Sequence, residues 1–363
     1  LLAITNLYAQ NSIKGNVIDA NTNDDLAFVN IYFTELEKGT STNENGDFLF
    51  DNLPSGSYNM LVSFIGYKTQ SINVIIPNSK NISIRLEPSA IEMEGVIIST
   101  PFHKLQSENV MKVEQESVKN LKANGAVNLT DGITNIAGVE SVTTGISIRG
   151  LSSNRVLVYT QGVRLENQQF GGEHGLGLND SGIESVEVIK GPASLLYGSD
   201  ALGGVLYLNP EKFASNNSSN GDISGNYYSN TQGYSTNAGF KSSSDHFKCL
   251  FRGNLAEHSD YKTKDYRVTN TRFREQDFKA GIGYQKNAFK TDFRYNVNNS
   301  KLGIPEELGE QSTNRTPLLP YQNITNHVFS SKSTLFFNNS KLDISLGYIY
   351  NDRKEFEEHH HDN

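Results

Sequence analysis

Between residues 289 and 298 the side chains alternate without a break. Phe289, Thr291, Phe293, Tyr295 and Val297 fall on one face of an extended strand, and Lys290, Asp292, Arg294, Asn296 and Asn298 on the other. Successive side chains of a strand point to opposite sides, so this pattern sorts apolar from charged groups across a sheet. It recurs at Phe278, Ala280, Ile282 and Tyr284, and at Leu342, Ile344, Leu346, Tyr348 and Tyr350. A soluble sandwich also alternates, but strands this long, with Tyr and Phe on one face and charge on the other, fit the wall of a membrane β-barrel.

The spacing predicts seven such strands, at 221–228, 233–241, 246–257, 277–285, 289–298, 327–337 and 341–351. Connections at 242–245, 286–288 and 338–340 are short, whereas 258–276 and 299–326 are long. Outer-membrane barrels pair short periplasmic turns with long extracellular loops, so strand parity puts the segment after 351 outside. A plugged barrel needs about 22 strands, and open sheet edges are not tolerated in lipid. The chain is therefore expected to be a fragment carrying the first strands of a large barrel. No apolar run approaches the ~20 residues of a membrane helix. A net charge of −8 argues against a nucleic-acid partner, and the single Cys249 allows no internal disulfide.

Upstream the texture changes. Val127–Ile136 has helical spacing, with Val127, Leu129, Ile133 and Ile136 as its apolar set. Ile146–Gly150, Val156–Tyr159 and Ile183–Lys190 read as strands, the last stopped by Gly191-Pro192. Tyr197–Val205 is dense in Gly, where the backbone must turn or approach closely. It lacks the Gly-Lys-Ser/Thr ending of a phosphate loop. Ile148-Arg149-Gly150, Asn154–Val158, Gly162-Val163-Arg164, Ile183–Ser194, Leu196–Ser199 and Ala201–Val205, in this order and spacing, resemble the plug domain of TonB-dependent receptors. Gln161 stands where that family often has Asp before the Gly, and Ala137-Gly138-Val139 replaces a usual Pro-Gly-Val. The resemblance implies an α/β globule lodged in a barrel, over 101–210. It makes Arg149, Arg164, Glu184 and Glu187 candidates for plug–barrel ion pairs.

Residues 11–88 alternate short apolar runs with turn residues, the signature of a small antiparallel sandwich. Asn45-Gly46 reads as a hairpin turn ahead of Phe48-Leu49-Phe50. Gly15–Asp19, Asn45–Phe48, Leu53–Tyr58 and Ile65-Gly66-Tyr67 resemble the carboxypeptidase-regulatory-like domain, an accessory module without catalysis, and no metallopeptidase histidine pair is present. Residues 1–10 resemble the tail of a signal peptide ending near Ala9. Between sandwich and plug, 89–100 can extend and add to another sheet's edge. Glu94, Gly95, Val96, Ile97, Ile98 and Ser99 resemble the TonB box. The fold class is thus mainly β with an α/β plug: sandwich, tether, plug, and a partial transmembrane β-barrel over 211–363.

The resemblance implies active, non-enzymatic transport of a small ligand across the outer membrane, driven by TonB, with outer-membrane lipid as the surrounding partner. No tightly bound cofactor is expected. The terminal segment holds Glu357, Glu358, His359, His360, His361 and Asp362, a set of imidazoles and carboxylates suited to Zn, Cu or Ni. His174 beside Glu173 is a candidate second ligand pair. Capture of a free metal ion by this loop is the leading substrate expectation, and a ferric siderophore or haem is the alternative. An adhesin or sensor is a competing class, disfavoured by the tether and plug together.

Overall fold

A computed structural model describes residues 11–77, 81–89, 113–123, 125–142, 145–166, 176–286, 288–306, 309, 311–337 and 340–357. The expected signal-peptide tail (1–10) and the TonB box (94–99) lie outside these residues.

The first unit has seven strands: β1 (Asn11–Asp19), β2 (Asn30–Phe33), β3 (Lys38–Ser41), β4 (Asp47–Leu53), β5 (Gly56–Ser63), β6 (Gln70–Ile76) and β7 (Ile82–Leu86). They form two sheets, ordered β4-β1-β7 and β3-β2-β5-β6. Phe33, Phe50, Met60, Ile76 and Leu86 are completely buried between them, with the Phe33 and Phe50 rings edge to face at 4.9 Å. Each such side chain contributes about 1.5–3 kcal/mol by leaving water. Two expectations need correction. The sandwich is not wholly antiparallel, because β1 and β7 pair in parallel. Gly15 permits this approach: a Cβ there would lie 2.1 Å from the Ile82 carbonyl oxygen. Nor is Asn45-Gly46 a hairpin turn, because β3 pairs with β2 and β4 with β1. The turn carries the chain from one sheet to the other, with Asn43 Oδ1 accepting from the Asn45 and Asp47 amides.

The second unit contains β8 (Val113–Ser117), helices α1 (Val118–Ala123) and α2 (Leu129–Ile133), β9 (Val139–Val142), β10 (Gly145–Ile148), β11 (Leu151–Ser152), β12 (Val156–Thr160), β13 (Val163–Leu165), β14 (Ile183–Ile189) and β15 (Gly204–Pro210). Its main sheet runs β13-β12-β15-β14-β8, with β12 and β15 parallel. Val186, Val188, Ile189, Val205, Leu206 and Leu208 are fully buried. Burial on both faces explains why β12 and β15 read as nearly continuous apolar runs rather than alternating ones. The expected ten-residue helix is only five residues long. Asn128 caps its start, accepting from the Asp131 amide, while Gly132, Thr134 and Asn135 favour early termination.

The third unit is one meander of seven antiparallel strands: β16 (Ser218–Tyr228), β17 (Gly233–Ser243), β18 (Phe247–His258), β19 (Phe273–Lys286), β20 (Phe289–Gly303), β21 (Tyr321–Phe336) and β22 (Lys341–Phe356). All seven predicted strands are present, most of them longer than expected, so the two long connections shrink to 259–272 and 304–320. The burial pattern is inverted relative to a soluble protein. Phe278, Ile282, Phe293, Leu346 and Tyr348 are exposed, whereas Lys279, Asp277, Lys290, Asn296 and Asn298 are buried. Register keeps like with like: Ala280, Tyr295, Phe329 and Tyr348 form one ladder across the outer face. An apolar face turned outward and a polar face turned inward requires hydrocarbon outside and protein or water inside.

Candidate functional site

The buried polar face of the meander carries the second unit. The seat is centred on 176–182, a short segment preceding β14. Asn179 donates to Glu275 Oε2 at 2.9 Å, and Lys279 donates its ammonium to the backbone oxygens of Asn179 and Ser181. Asn237 reaches Ser181 Oγ at 2.5 Å, Asn326 reaches the Gly177 oxygen at 2.6 Å, and Ser330 donates to Gln161 at 2.8 Å. Glycines on the wall make room. A Cβ at Gly347 would meet Val163 at 2.7 Å, and one at Gly281 would meet the Phe213 ring at 3.1 Å.

A second anchor follows β15. Glu211 accepts two bonds from Arg252 (2.6 and 2.9 Å) and one from Lys241 (3.0 Å), and Arg294 donates to its backbone oxygen at 2.9 Å while lying over the Phe213 ring. Burial opposes the charge on Glu211, but the donors from Arg252 and Lys241 outweigh it and hold the carboxyl below the usual carboxylate range. Arg252 also pairs with Asp222, so four charged groups from the connection and strands β16–β18 form one network.

The four residues expected to bridge plug and barrel make different contacts. Arg164 pairs with Asp200 at 3.0 Å, and Glu187, fully buried, accepts from Asn209 at 2.8 Å and Gln115 at 3.3 Å; these partners lie inside the unit. Glu184 meets Lys212 in the connection. Arg149 sits exposed in the β10–β11 turn with φ near 54°. For Glu187 the reason is the five-stranded sheet: β14 is flanked by β8 and β15, which supply Gln115 and Asn209. Spacing could not single out Asn179, Ser181 or Glu211, because the segments that hold them have no periodicity. Glu211 just after an apolar strand was the one available signal.

At the other end of the strands, loops 259–272 and 304–320 lock together. Gln311 accepts from the Arg267 amide at 2.6 Å and donates to the Arg267 oxygen at 3.0 Å, while the Asn270 side chain bonds to Ile304, Leu318 and Pro320. Beneath them Arg272 and Asp260 form a fully buried ion pair. The loops frame an open cavity of about 450 Å³ lined by Lys262, Asp265, Tyr266, Arg267, Gln311, Ser312 and Thr313. Of the metal candidates, His174, Glu173, Glu358, His359, His360, His361 and Asp362 lie outside the described residues, and Glu357 is exposed just past β22. Among the described residues no group of three metal-ligating side chains occurs.

Residues 106–205 match the family described as the TonB-dependent Receptor Plug Domain, and 13–98 match the CarboxypepD_reg-like domain. A plug domain seated on the polar face of a lipid-facing sheet decides the matter. The chain carries the plug domain of the TonB-dependent outer-membrane receptors. Its curated relatives include an iron-regulated outer membrane virulence protein of Vibrio cholerae, 42% identical over 22% of this chain and 14% of that protein. A vitamin B12 transporter of Vibrio vulnificus is 34% identical over 31% and 19%. A heme/hemopexin utilization protein of Haemophilus influenzae is 38% identical over 26% and 14%. Among solved structures, the ferric yersiniabactin uptake receptor of Yersinia pestis superposes with a TM-score of 0.54 at 15% identity, covering 69% of this chain and 42% of that one. The siderophore receptor PirA of Acinetobacter baumannii gives 0.53 at 17%, covering 71% and 42%. The receptor chain described here thus spans about two fifths of the length of these solved relatives, and less than a fifth of the curated ones.

Proposed function

We propose that this receptor imports an anionic metal chelate of the siderophore or haem class across the outer membrane, with TonB supplying the work. The observation that carries the reading is the plug seat. Its contacts are largely charged and amide hydrogen bonds, which exchange with water at a net cost of about 1 kcal/mol each. Such a seat holds a plug closed yet lets a pull from the periplasm rearrange it. In this reading the pull comes from a partner gripping Glu94–Ser99. The cavity at the outer loops offers Lys262 and Arg267 against one carboxylate, Asp265, a balance that favours an anionic ligand. The printed names of the relatives include an iron-regulated protein, a haem-utilization protein and ferric-chelate receptors.

A second reading is capture of a bare metal ion by His359, His360 and His361. It is favoured by the course of β22, which ends beside Tyr321 at the outer-loop end with Glu357 exposed. One experiment separates them. Cells carrying the full-length gene are given radioactive iron as ferric chelates or haem, or zinc, and compared with variants K262Q/R267Q, H359A/H360A/H361A and a deletion of 94–99. Loss of chelate uptake in the first and third variants supports the chelate reading. Loss of zinc uptake in the second supports the ion reading. Full uptake after deletion of 94–99 sinks TonB-driven transport by this tether.

A further inference from the structure

The lower rim of the sheet, where β17 and β18 meet at 244–246 and where β19, β20, β21 and β22 end or begin at Lys286, Phe289, Phe336 and Lys341, carries inward-facing aromatic and charged groups. Phe336 ends β21 on the buried face, where a barrel mouth would be wet, and yet it is only 4% exposed. Its ring meets Tyr58 of the sandwich edge to face at 5.7 Å, and it belongs with Ala288 to the sandwich's own apolar core. Nearby the inner wall presents Lys248, Lys290, Lys332 and Arg294 around Asp292, with Asp343 acting on Lys332, so cations outnumber carboxylates there. Glu37, in the tight turn between β2 and β3, places its carboxylate 2.8 Å from Lys290, and Lys248 and Lys332 act on it from further off. Next to it, Lys38 interacts electrostatically with Asp245 and Lys248 of the rim. Aromatic cover and opposite charge thus coincide on one small surface.

We propose that the N-terminal sandwich is a docked cap on this sector of the periplasmic rim, seated by Phe336 and Tyr58 and oriented by Glu37 in the lysine cluster. The apolar contact supplies attraction, since a Phe left in the mouth would face water. The ion pair sets the orientation, because the acidic turn fits one part of the rim and a basic turn would be repelled. The sandwich is therefore a fixed element of the transporter's floor, and not a domain swinging freely on its tether. Charge-based seating also weakens as salt screens it.

The test uses the full-length receptor in outer-membrane vesicles, with Cys249 and any other native cysteine changed to Ser. Cysteines at Lys38 and Asp245 are bridged with a short bis-maleimide, and Lys68→Cys, at the far end of the sandwich strands, replaces Lys38→Cys as the control. The 38–245 pair is expected to cross-link at least fivefold more than 68–245. Glu37→Lys or Lys290→Glu alone should reduce that yield severalfold, the swapped pair E37K/K290E should restore it, and high salt should lower it. Equal yields for 38–245 and 68–245 would show a freely moving sandwich and overturn the proposal. A yield indifferent to the single charge reversals would overturn the orienting role of Glu37.

Discussion

Leu346 gives the sharpest check on which face of the sheet meets lipid. It lies near the middle of β22, is 64% exposed, and stands in the outward row with Ile344 and Tyr348. Its chain neighbour Ser345 points to the other side and pairs with Lys332. Leu346→Arg would place a guanidinium near the bilayer midplane at a cost of about 2–4 kcal/mol, or roughly 30- to 700-fold in the folding equilibrium at 1.4 kcal/mol per decade. Ser345→Arg keeps its charge in the polar interior. Its one expected cost is repulsion across the strand pair from Lys332, under about 1 kcal/mol. Full-length receptor would be unfolded in denaturant and refolded into lipid vesicles, with the folded fraction read from heat-modifiable migration on a gel. A midpoint shift for Leu346→Arg several times that for Ser345→Arg is expected. Equal shifts, or a larger one for Ser345→Arg, would refute the assignment of faces and with it the barrel reading of this sheet.

Three further outcomes follow from the same contacts. Glu211→Ala and Arg252→Ala should couple by about 1–3 kcal/mol in a double-mutant cycle on plug release, and strict additivity would deny the anchor; the coupling stays moderate because Asp222 still pairs Arg252. Gly204→Ala should destabilise the plug by about 1–3 kcal/mol, seen as faster proteolysis, since φ is 147° and a Cβ would sit 2.8 Å from the Ile189 oxygen, while Gly221→Ala, which meets nothing closer than 3.6 Å, serves as a neutral control. Finally, Asp19 is held below its ordinary pKa by the Tyr67 hydroxyl at 2.7 Å and then by the Thr22 and Asn21 amides. A depressed carboxyl stabilises above its unfolded value and loses that contribution as pH falls through its folded one. The sandwich should therefore weaken below about pH 4, and Tyr67→Phe should flatten this acid loss in melting curves taken from pH 2 to 6.

Much of the strand pattern was legible because its cause is local. In β19 to β22 the alternation at Phe278, Phe293 or Leu346 follows from the two-residue repeat of extended backbone, whatever lies beyond the strand. The strand at Ile183–Ile189 was equally plain from its β-branched residues and the Gly191-Pro192 stop that follows it. Helix α1 and strand β8 were missed because Val113–Ala123 is largely polar and its ordering depends on pairing with β14. Central strand β15 was hidden behind the glycines at 203 and 204. The candidate site was the least legible part. Arg164 and Glu187 were visible as charges on strands, but which partner each would meet depended on the order of strands in the sheet.

By itself, the sequence determined that this chain contains long two-faced strands, a glycine-punctuated α/β unit and a small sandwich, since each rests on periodicity or on turn residues within a few positions. The tertiary structure alone decided that Asn45-Gly46 crosses between sheets, that β1 and β7 run parallel, and that Asn179, Ser181 and Glu211 hold the plug. Those outcomes depend on residues tens to a hundred positions apart, and a hydrogen bond such as Asn179 to Glu275 leaves no trace in the pattern of either segment alone.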